Sequence, residues 1–99
     1  MNTCVCAIAK NENNYIREWV EHYHNIGFSS IYLFDNNETN GENLEDPIKD
    51  YIKSGFVIVD KKYRGINDRL CQIEAYTYFY TENKNKFDWC LFVDIDEFL

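Results

Sequence analysis

The sequence predicts an α/β fold, a half-Rossmann arrangement of three layers around a parallel sheet of about four strands in the order 3-2-1-4. Four short apolar runs are separated by segments whose apolar residues recur every three or four positions. The links are short and polar, and no repeat or low-complexity tract interrupts the alternation. Such alternation is typical of right-handed crossovers that place helices on both faces of a parallel sheet.

The apolar runs predict the strands, which cover residues 3–9, 30–34, 56–59 and 89–94. The first and fourth runs are almost continuously apolar, as expected of strands buried on both faces. We therefore expect Trp89, which begins the fourth strand, to lie in the core, and Trp19 of the first helix with it. The four cysteines match no zinc spacing, and we expect all of them to be small buried hydrophobes: Cys4, Cys6, Cys71 and Cys90.

Three helices are predicted between these strands. The first covers residues 15–26, with its apolar positions at helical spacing, and ends at Gly27. The second is short, with Asp46 as its N-cap and Pro47 at its first helical position. The third covers residues 70–80 and leads back to the fourth strand.

Length and charge limit the function classes. Ninety-nine residues form one domain, and an apolar fraction of 45% is enough for a packed core. A net charge of −7 argues against nucleic acid as a partner, because phosphates require a basic surface. No segment of the sequence approaches about 18 consecutive apolar residues, and the N-terminus has no basic region before an apolar stretch. We therefore expect a cytoplasmic protein with reduced thiols.

Polar residues follow each predicted strand, and parallel strands place all their carboxyl ends at one edge of the sheet. Asp94 and Asp96 follow the fourth strand at a two-residue spacing, which lets both carboxylates share one hard cation. Ligands of open α/β sheets bind at this edge. A rim of loops that only contacts solvent would have a similar composition, and this alternative is open at this stage.

Four segments carry a family resemblance: CAIAKNENNYIREWVEHYHNIG, IYLFDNN, QIEAY and WCLFVDIDEFL. The chain resembles the nucleotide-sugar-binding half of GT-A-type glycosyltransferases, in the family 2-like group and the related family 92-type proteins. The resemblance covers nearly the whole chain, and VDIDEFL is its most specific part. It implies a truncated GT-A fold, with residues 1–99 forming the single donor-binding domain of a metal-dependent glycosyltransferase.

The resemblance also implies roles for individual residues. Asp94 and Asp96 match the D-x-D motif, which holds Mn²⁺ or Mg²⁺ on the donor diphosphate. Asp35 matches the acidic residue that contacts the nucleotide base or ribose. The remaining residues implied in binding the nucleotide-sugar come from the first-strand loop, the second strand's end and, in a looser match, the third helix: Ala9, Lys10, Asn11, Glu12, Asn36, Arg69 and Gln72.

A complete enzyme of this type extends well past the D-x-D strand. The resemblance therefore implies that the acceptor site and any catalytic base lie beyond Leu99, and that this chain is a fragment or a truncated form. The implied donor is UDP- or GDP-linked, and the implied acceptor is a glycan or a lipid-linked sugar. The fourth strand would be an edge strand without a blocking lysine or proline, which predicts a homodimer through the exposed sheet edge.

Two other functions are compatible with the residues. The first is a non-catalytic α/β module whose acidic rim binds a metal or a partner protein. The second is a phosphotransferase with an Asp-x-Asp nucleophile, which fits poorly because such aspartates usually follow the first strand.

Overall fold

The computed structural model describes residues 2–97, and these form a four-stranded parallel sheet with helices on both faces. The strands are β1 (Thr3–Ala9), β2 (Ser30–Asp35), β3 (Val57–Asp60) and β4 (Trp89–Phe92). They lie in the order β3-β2-β1-β4, and every neighbouring pair is parallel. The predicted fold class and strand order are confirmed.

The helices are α1 (Ile16–Asn25), α2 (Lys49–Lys53) and α3 (Cys71–Asn83), and a short 3-10 turn, Asp46–Ile48, precedes α2. Asp46 is thus the first residue of the 3-10 turn. The prediction that it caps the helix was wrong, since Glu45 occupies the cap position and no side chain there accepts a capping hydrogen bond. Pro47 fits the turn because its fixed φ suits a helical first turn and its missing N–H leaves no donor unpaired.

The strand β1 divides the core in two because its side chains alternate between the sheet faces. On one face, Val5, Ala7 and Ala9 pack in a cluster with apolar residues of α1, the 3-10 turn and the chain after β4. On the other face, Cys4 and Cys6 pack in a cluster with residues of α3. The result is a three-layer arrangement with α1 and α2 on one side of the sheet and α3 on the other.

The buried cysteines behave as apolar side chains. Cys4, Cys6 and Cys71 are buried, as predicted, whereas Cys90 of β4 is only partly buried and departs from the prediction. Burial raises the pKa of the Cys4 thiol to about 11 and also raises the pKa of Cys6. These thiols are therefore uncharged at neutral pH and contribute packing rather than reactivity.

The edge strand β4 differs most from its prediction. It ends at Phe92, two residues earlier than expected, and it is not buried on both faces. Trp89 has 67% of its surface exposed, so its predicted place in the core was wrong, whereas Trp19 is fully buried as expected. The physical reason is position, because Trp89 pairs with Thr3 at the outer corner of the sheet.

No helix between residues 2 and 97 is long and apolar enough to cross a membrane.

Candidate nucleotide-sugar site

A cavity of about 410 Å³ lies at the carboxyl ends of the strands. It is bounded by the ends of β1 and β2, the chain after β4 and the first turn of α3. Most of the residues implied by the sequence resemblance line it: Ala9, Lys10, Glu12, Asn36, Arg69, Gln72, Asp94 and Asp96. Topology therefore brings together side chains that are as many as 87 positions apart, from Ala9 to Asp96.

Asp94 and Asp96 are presented to the cavity by a tight turn after β4. Val93 and Ile95 are buried while Asp94 and Asp96 are exposed, so the two carboxylates share one side of the chain. The Glu97 amide donates to the Asp94 carbonyl at 3.0 Å, and the Asp94 amide donates to Glu97 Oε1 at 2.8 Å. The Glu97 carboxylate is thus used within the turn and is not among the residues that line the cavity.

The first helix fixes this acidic turn from behind. Trp19 Nε1 donates to the Glu97 carbonyl at 3.1 Å, and the Tyr23 hydroxyl donates to the same oxygen at 2.9 Å. Both donors belong to rigid, fully buried side chains of α1. The position of the Asp94 and Asp96 backbone therefore depends on the packing of α1 against the sheet.

The wall of the cavity formed by α3 also contacts Asp94. Gln72 Nε2 lies 3.4 Å from Asp94 Oδ1 and 3.4 Å from the Tyr76 hydroxyl. Asp68 forms the turn that leads into α3, since its Oδ1 accepts from the Leu70 amide at 2.9 Å and its carbonyl accepts from the Cys71 amide at 2.9 Å. This geometry places Arg69 and Gln72 on the cavity side of the helix start.

Asn36 holds two walls of the cavity together. Its side-chain amide donates to the carbonyls of Tyr63 and Ile66 at 2.8 and 2.9 Å, and its backbone amide donates to the Ala9 carbonyl at 2.8 Å. The end of β2 is thereby joined both to the end of β1 and to the loop before α3. Asn36 has the position that the resemblance implied, but its amide hydrogens are already used in shaping the wall.

Two of the implied residues do not line the cavity. Asp35 has no exposed surface, and its carboxylate accepts hydrogen bonds from Arg64 Nη1 at 2.8 Å, the Asn37 amide at 2.9 Å and the Leu44 amide at 3.3 Å. Asn11 is exposed with a φ of 59°, and its amide donates to Asn37 Oδ1 at 2.7 Å. Asparagine tolerates this left-handed conformation better than most residues.

Glu12 has a partly unsatisfied carboxylate at the cavity. Its Oε2 is buried and has no hydrogen-bond partner within residues 2–97. The nearby Tyr15 phenol donates a hydrogen bond to the Glu12 carboxylate, which raises the pKa of Tyr15. An unpaired buried acceptor is costly, which makes Glu12 suited to accept a hydrogen bond from a ligand.

Several cavity residues were missed by the sequence reasoning: Ile8, Tyr15, Asp68, Cys71 and Ile95. Asp68 had a recognisable signal, because aspartate is common in turns, where its side chain accepts from the backbone amide two residues on. Tyr15 directly follows the polar cluster after β1, so its place at the cavity could have been predicted from the sequence. The other three are apolar or thiol side chains whose types give no indication of a site.

The charge of the cavity is predominantly negative. Its acidic residues are Glu12, Asp68, Asp94 and Asp96, and its basic residues are Lys10 and Arg69. No lysine or arginine between residues 2 and 97 forms an ion pair with Asp94 or Asp96. A diphosphate would therefore meet uncompensated carboxylates unless a cation came between them.

The protein by itself does not form a closed metal cage in the described part of the chain. No group of three or more His, Cys, Asp or Glu side chains within residues 2–97 is arranged to hold a metal ion. Two exposed carboxylates suit a different kind of site, in which Mg²⁺ or Mn²⁺ is bound by one or two protein oxygens, ligand phosphates and water. The donor set of Asp94 and Asp96 fits a divalent ion shared with a ligand.

The chain is similar in sequence to proteins of a known family. The model of glycosyltransferase family 92 matches residues 1–99. A glycosyltransferase family 92 protein of Oryza sativa subsp. japonica is 25% identical over 96 residues, which cover 97% of this chain and 16% of the relative. One of Ricinus communis is 26% identical over 100 residues, covering 96% of this chain and 16% of the relative. No solved structure gives a significant match.

Proposed function

The chain belongs to glycosyltransferase family 92, and we propose that its cavity binds the nucleotide-sugar donor of a metal-dependent glycosyl transfer. The observation that carries this proposal is the meeting of Asp94, Asp96 and Arg69 at the carboxyl edge of a parallel sheet. Two carboxylates for a cation and a guanidinium for a phosphate are the groups that a nucleoside diphosphate requires.

In this proposal Asp94 and Asp96 hold Mn²⁺ or Mg²⁺ together with the donor diphosphate. The bound ion would stabilise the negative charge that develops on the leaving nucleoside diphosphate. Gln72 contacts Asp94 and would orient that carboxylate. Arg69 lines the same cavity and would contact a phosphate oxygen directly.

We propose that the nucleoside lies toward Glu12 and Tyr15. The unpaired Glu12 Oε2 needs a hydrogen-bond donor, which a ribose hydroxyl or a base N–H supplies and a phosphate does not. Asp35, implied by resemblance to contact the base or ribose, is enclosed by Arg64 and backbone amides. Its proposed role is therefore to support the loop that positions the Asn11 backbone, through Asn37.

The chain spans 16% of the length of the two curated relatives. We propose that a UDP- or GDP-linked sugar is the donor, that a glycan or a lipid-linked sugar is the acceptor, and that the acceptor site and any catalytic base lie outside the described residues. A cytoplasmic location belongs to the same proposal.

Calorimetry with UDP and GDP tests the proposal. We expect binding of one of them in Mn²⁺ and strongly weakened binding in a chelator, because the ion bridges the diphosphate to Asp94 and Asp96. Asp96→Asn should lose most of the metal-dependent affinity and keep the fold, since Asp96 is exposed. Asp46→Asn, which removes an exposed acid that does not line the cavity, is the matched control.

Equal affinity in Mn²⁺ and in chelator would contradict the metal-dependent proposal. Mn²⁺ binding without any nucleotide binding would instead favour the second candidate, a non-catalytic module whose acidic rim binds a metal. The observation that favours this second candidate is the negative balance of charged groups around the cavity.

A further inference from the structure

Lys10 lines the cavity, yet its ammonium group is held at the rim by two residues from other loops. Its Nζ lies 3.0 Å from Glu38 Oε1 and 3.0 Å from Asn67 Oδ1. Asn67 Nδ2 in turn lies 3.4 Å from Glu38 Oε2. We call this group of three side chains the Lys10 clasp. It joins the loops that follow β1, β2 and β3.

Arg69, the other cationic residue that lines the cavity, differs from Lys10 in its contacts. The Arg69 side chain makes no ion pair or hydrogen bond with any residue in the described range 2–97, so it is available to an incoming phosphate. Lys10, in contrast, already has an anionic partner. The hydrogen bond from Lys10 lowers the pKa of the Glu38 carboxyl, so this partner is ionised at neutral pH.

We propose that Glu38 takes the place of a donor phosphate on Lys10, so that donor binding exchanges one anion for another. The inference rests on the proposed donor-binding function of the cavity. The exchange is sterically simple, because the lysine ammonium ends a flexible four-carbon stem and can turn from the rim toward the cavity. It is also energetically modest, because the Lys10 and Glu38 side chains are 40% and 48% exposed.

Glu38 then acts as a competitor that lowers the affinity of the site for the diphosphate. Removing the charge of Glu38 while preserving its shape should strengthen donor binding, even though the loops lose one contact of the Lys10 clasp. A residue that served only to position Lys10 would have the opposite effect. The sign of the change in affinity therefore separates competition from positioning.

The test is a double-mutant cycle measured by calorimetry with UDP and GDP in Mn²⁺. Glu38→Gln should bind the preferred nucleotide about two- to fivefold more tightly than wild type, the range expected for release of one exposed ion pair. Lys10→Met should bind more weakly than wild type. In the Lys10→Met background, Glu38→Gln should give no further gain, because the competition requires Lys10.

Glu45→Gln is the matched control, because Glu45 forms a partly exposed pair with Lys61 and does not line the cavity. Its gain in affinity should be smaller than that of Glu38→Gln. Equal or weaker binding by Glu38→Gln, or an equal gain in the Lys10→Met background, would overturn the inference and leave the proposed function intact. Absence of binding in every variant would overturn both.

Discussion

At the scale of single residues, Asp35 has the least accessible charge in the described part of the chain. Its ion pair with Arg64 is almost inaccessible to solvent, because the Arg64 side chain is 14% exposed and that of Asp35 is 0% exposed. Arg64 also donates to the carbonyls of Gly41 and Glu42 at 2.9 Å. One buried pair thus holds the loop after β2 against the loop after β3.

We predict that Asp35→Ala lowers the free energy of unfolding by about 3–5 kcal/mol, because it leaves the Arg64 charge buried and unpaired. Urea denaturation measures this loss. Asp50→Ala is the matched control, since it breaks an exposed pair with Arg17 and should have a much smaller effect. The nucleoside and the nucleoside diphosphate should both lose affinity by a similar factor, because the Asp35-supported loop fixes the chain at Asn11.

If Asp35 instead contacts the nucleotide base or ribose, as the resemblance implied, Asp35→Ala should give a different result. A variant with nearly unchanged stability and a selective loss of nucleotide binding would show that the carboxylate contacts the ligand. The sequence could not separate these roles, because the partner Arg64 lies 29 residues away in a loop without periodicity. Lys10 and Asp96 were predictable as cavity residues, since each follows a strand end, whereas Arg69 was implied only by the family resemblance.

At the scale of secondary-structure elements, β4 is the least protected part of the sheet. It is an edge strand that pairs only with β1 among the described strands. Exposed aromatic side chains begin and end it, with Trp89 67% and Phe92 39% exposed. An apolar groove borders Trp89 and includes Phe28 and Leu91. Edge strands with these properties tend to pair with other chains.

We propose that the chain forms a homodimer through β4, and we expect sedimentation velocity to show association that increases with concentration. Trp89→Lys should shift the equilibrium to monomer without unfolding the protein, because the indole is mostly exposed. Ile73→Lys is the matched control, since Ile73 is a 65% exposed apolar residue on α3 rather than on the edge. A single monomeric species at all concentrations would contradict the proposal.

The elements themselves were largely predictable, and the error at β4 has a physical cause. Apolar runs indicated every strand. A run such as residues 89–92, however, has the same sequence pattern in a central strand and in an edge strand. Its exposure depends on which elements cover it, which is a property of the assembled fold. The Asp46 error is a shift by one position, because Glu45 and not Asp46 lies at the cap of the 3-10 turn.

At the scale of the whole molecule, ligand binding should be coupled to stability. The cavity is formed by three strand ends and α3, so a bound ligand links parts of the chain that separate on unfolding. Anything that binds only the folded state raises the midpoint of thermal unfolding.

We predict that Mn²⁺ and the preferred nucleoside diphosphate together raise the melting temperature. At a concentration a hundredfold above Kd, the stabilisation is about 2.7 kcal/mol, and each 1 kcal/mol corresponds to about 4–8 °C in a domain of this size. Differential scanning fluorimetry measures the shift. Each component alone should give a much smaller shift, and equal effects of Mn²⁺ with and without nucleotide would contradict the shared site.

The strand order could be predicted because alternation and right-handed crossovers leave few topologies for four strands. The same topology correctly brought the polar loop residues to one edge. The contacts that decide individual roles could not be predicted, because they join loops such as 36–45 and 61–70 that are far apart in sequence. The Lys10 clasp and the enclosure of Asp35 both belong to this class.

The different surroundings of the two tryptophans have an optical consequence. Trp19 is buried and donates its indole N–H to the Glu97 carbonyl, whereas the Trp89 ring is largely in solvent. We therefore expect the fluorescence of the monomer to separate by environment, with emission at shorter wavelength from Trp19 and iodide-quenchable emission at longer wavelength from Trp89. Without any added label, the first reports on the acidic turn that presents Asp94 and Asp96, and the second on the open edge of the sheet.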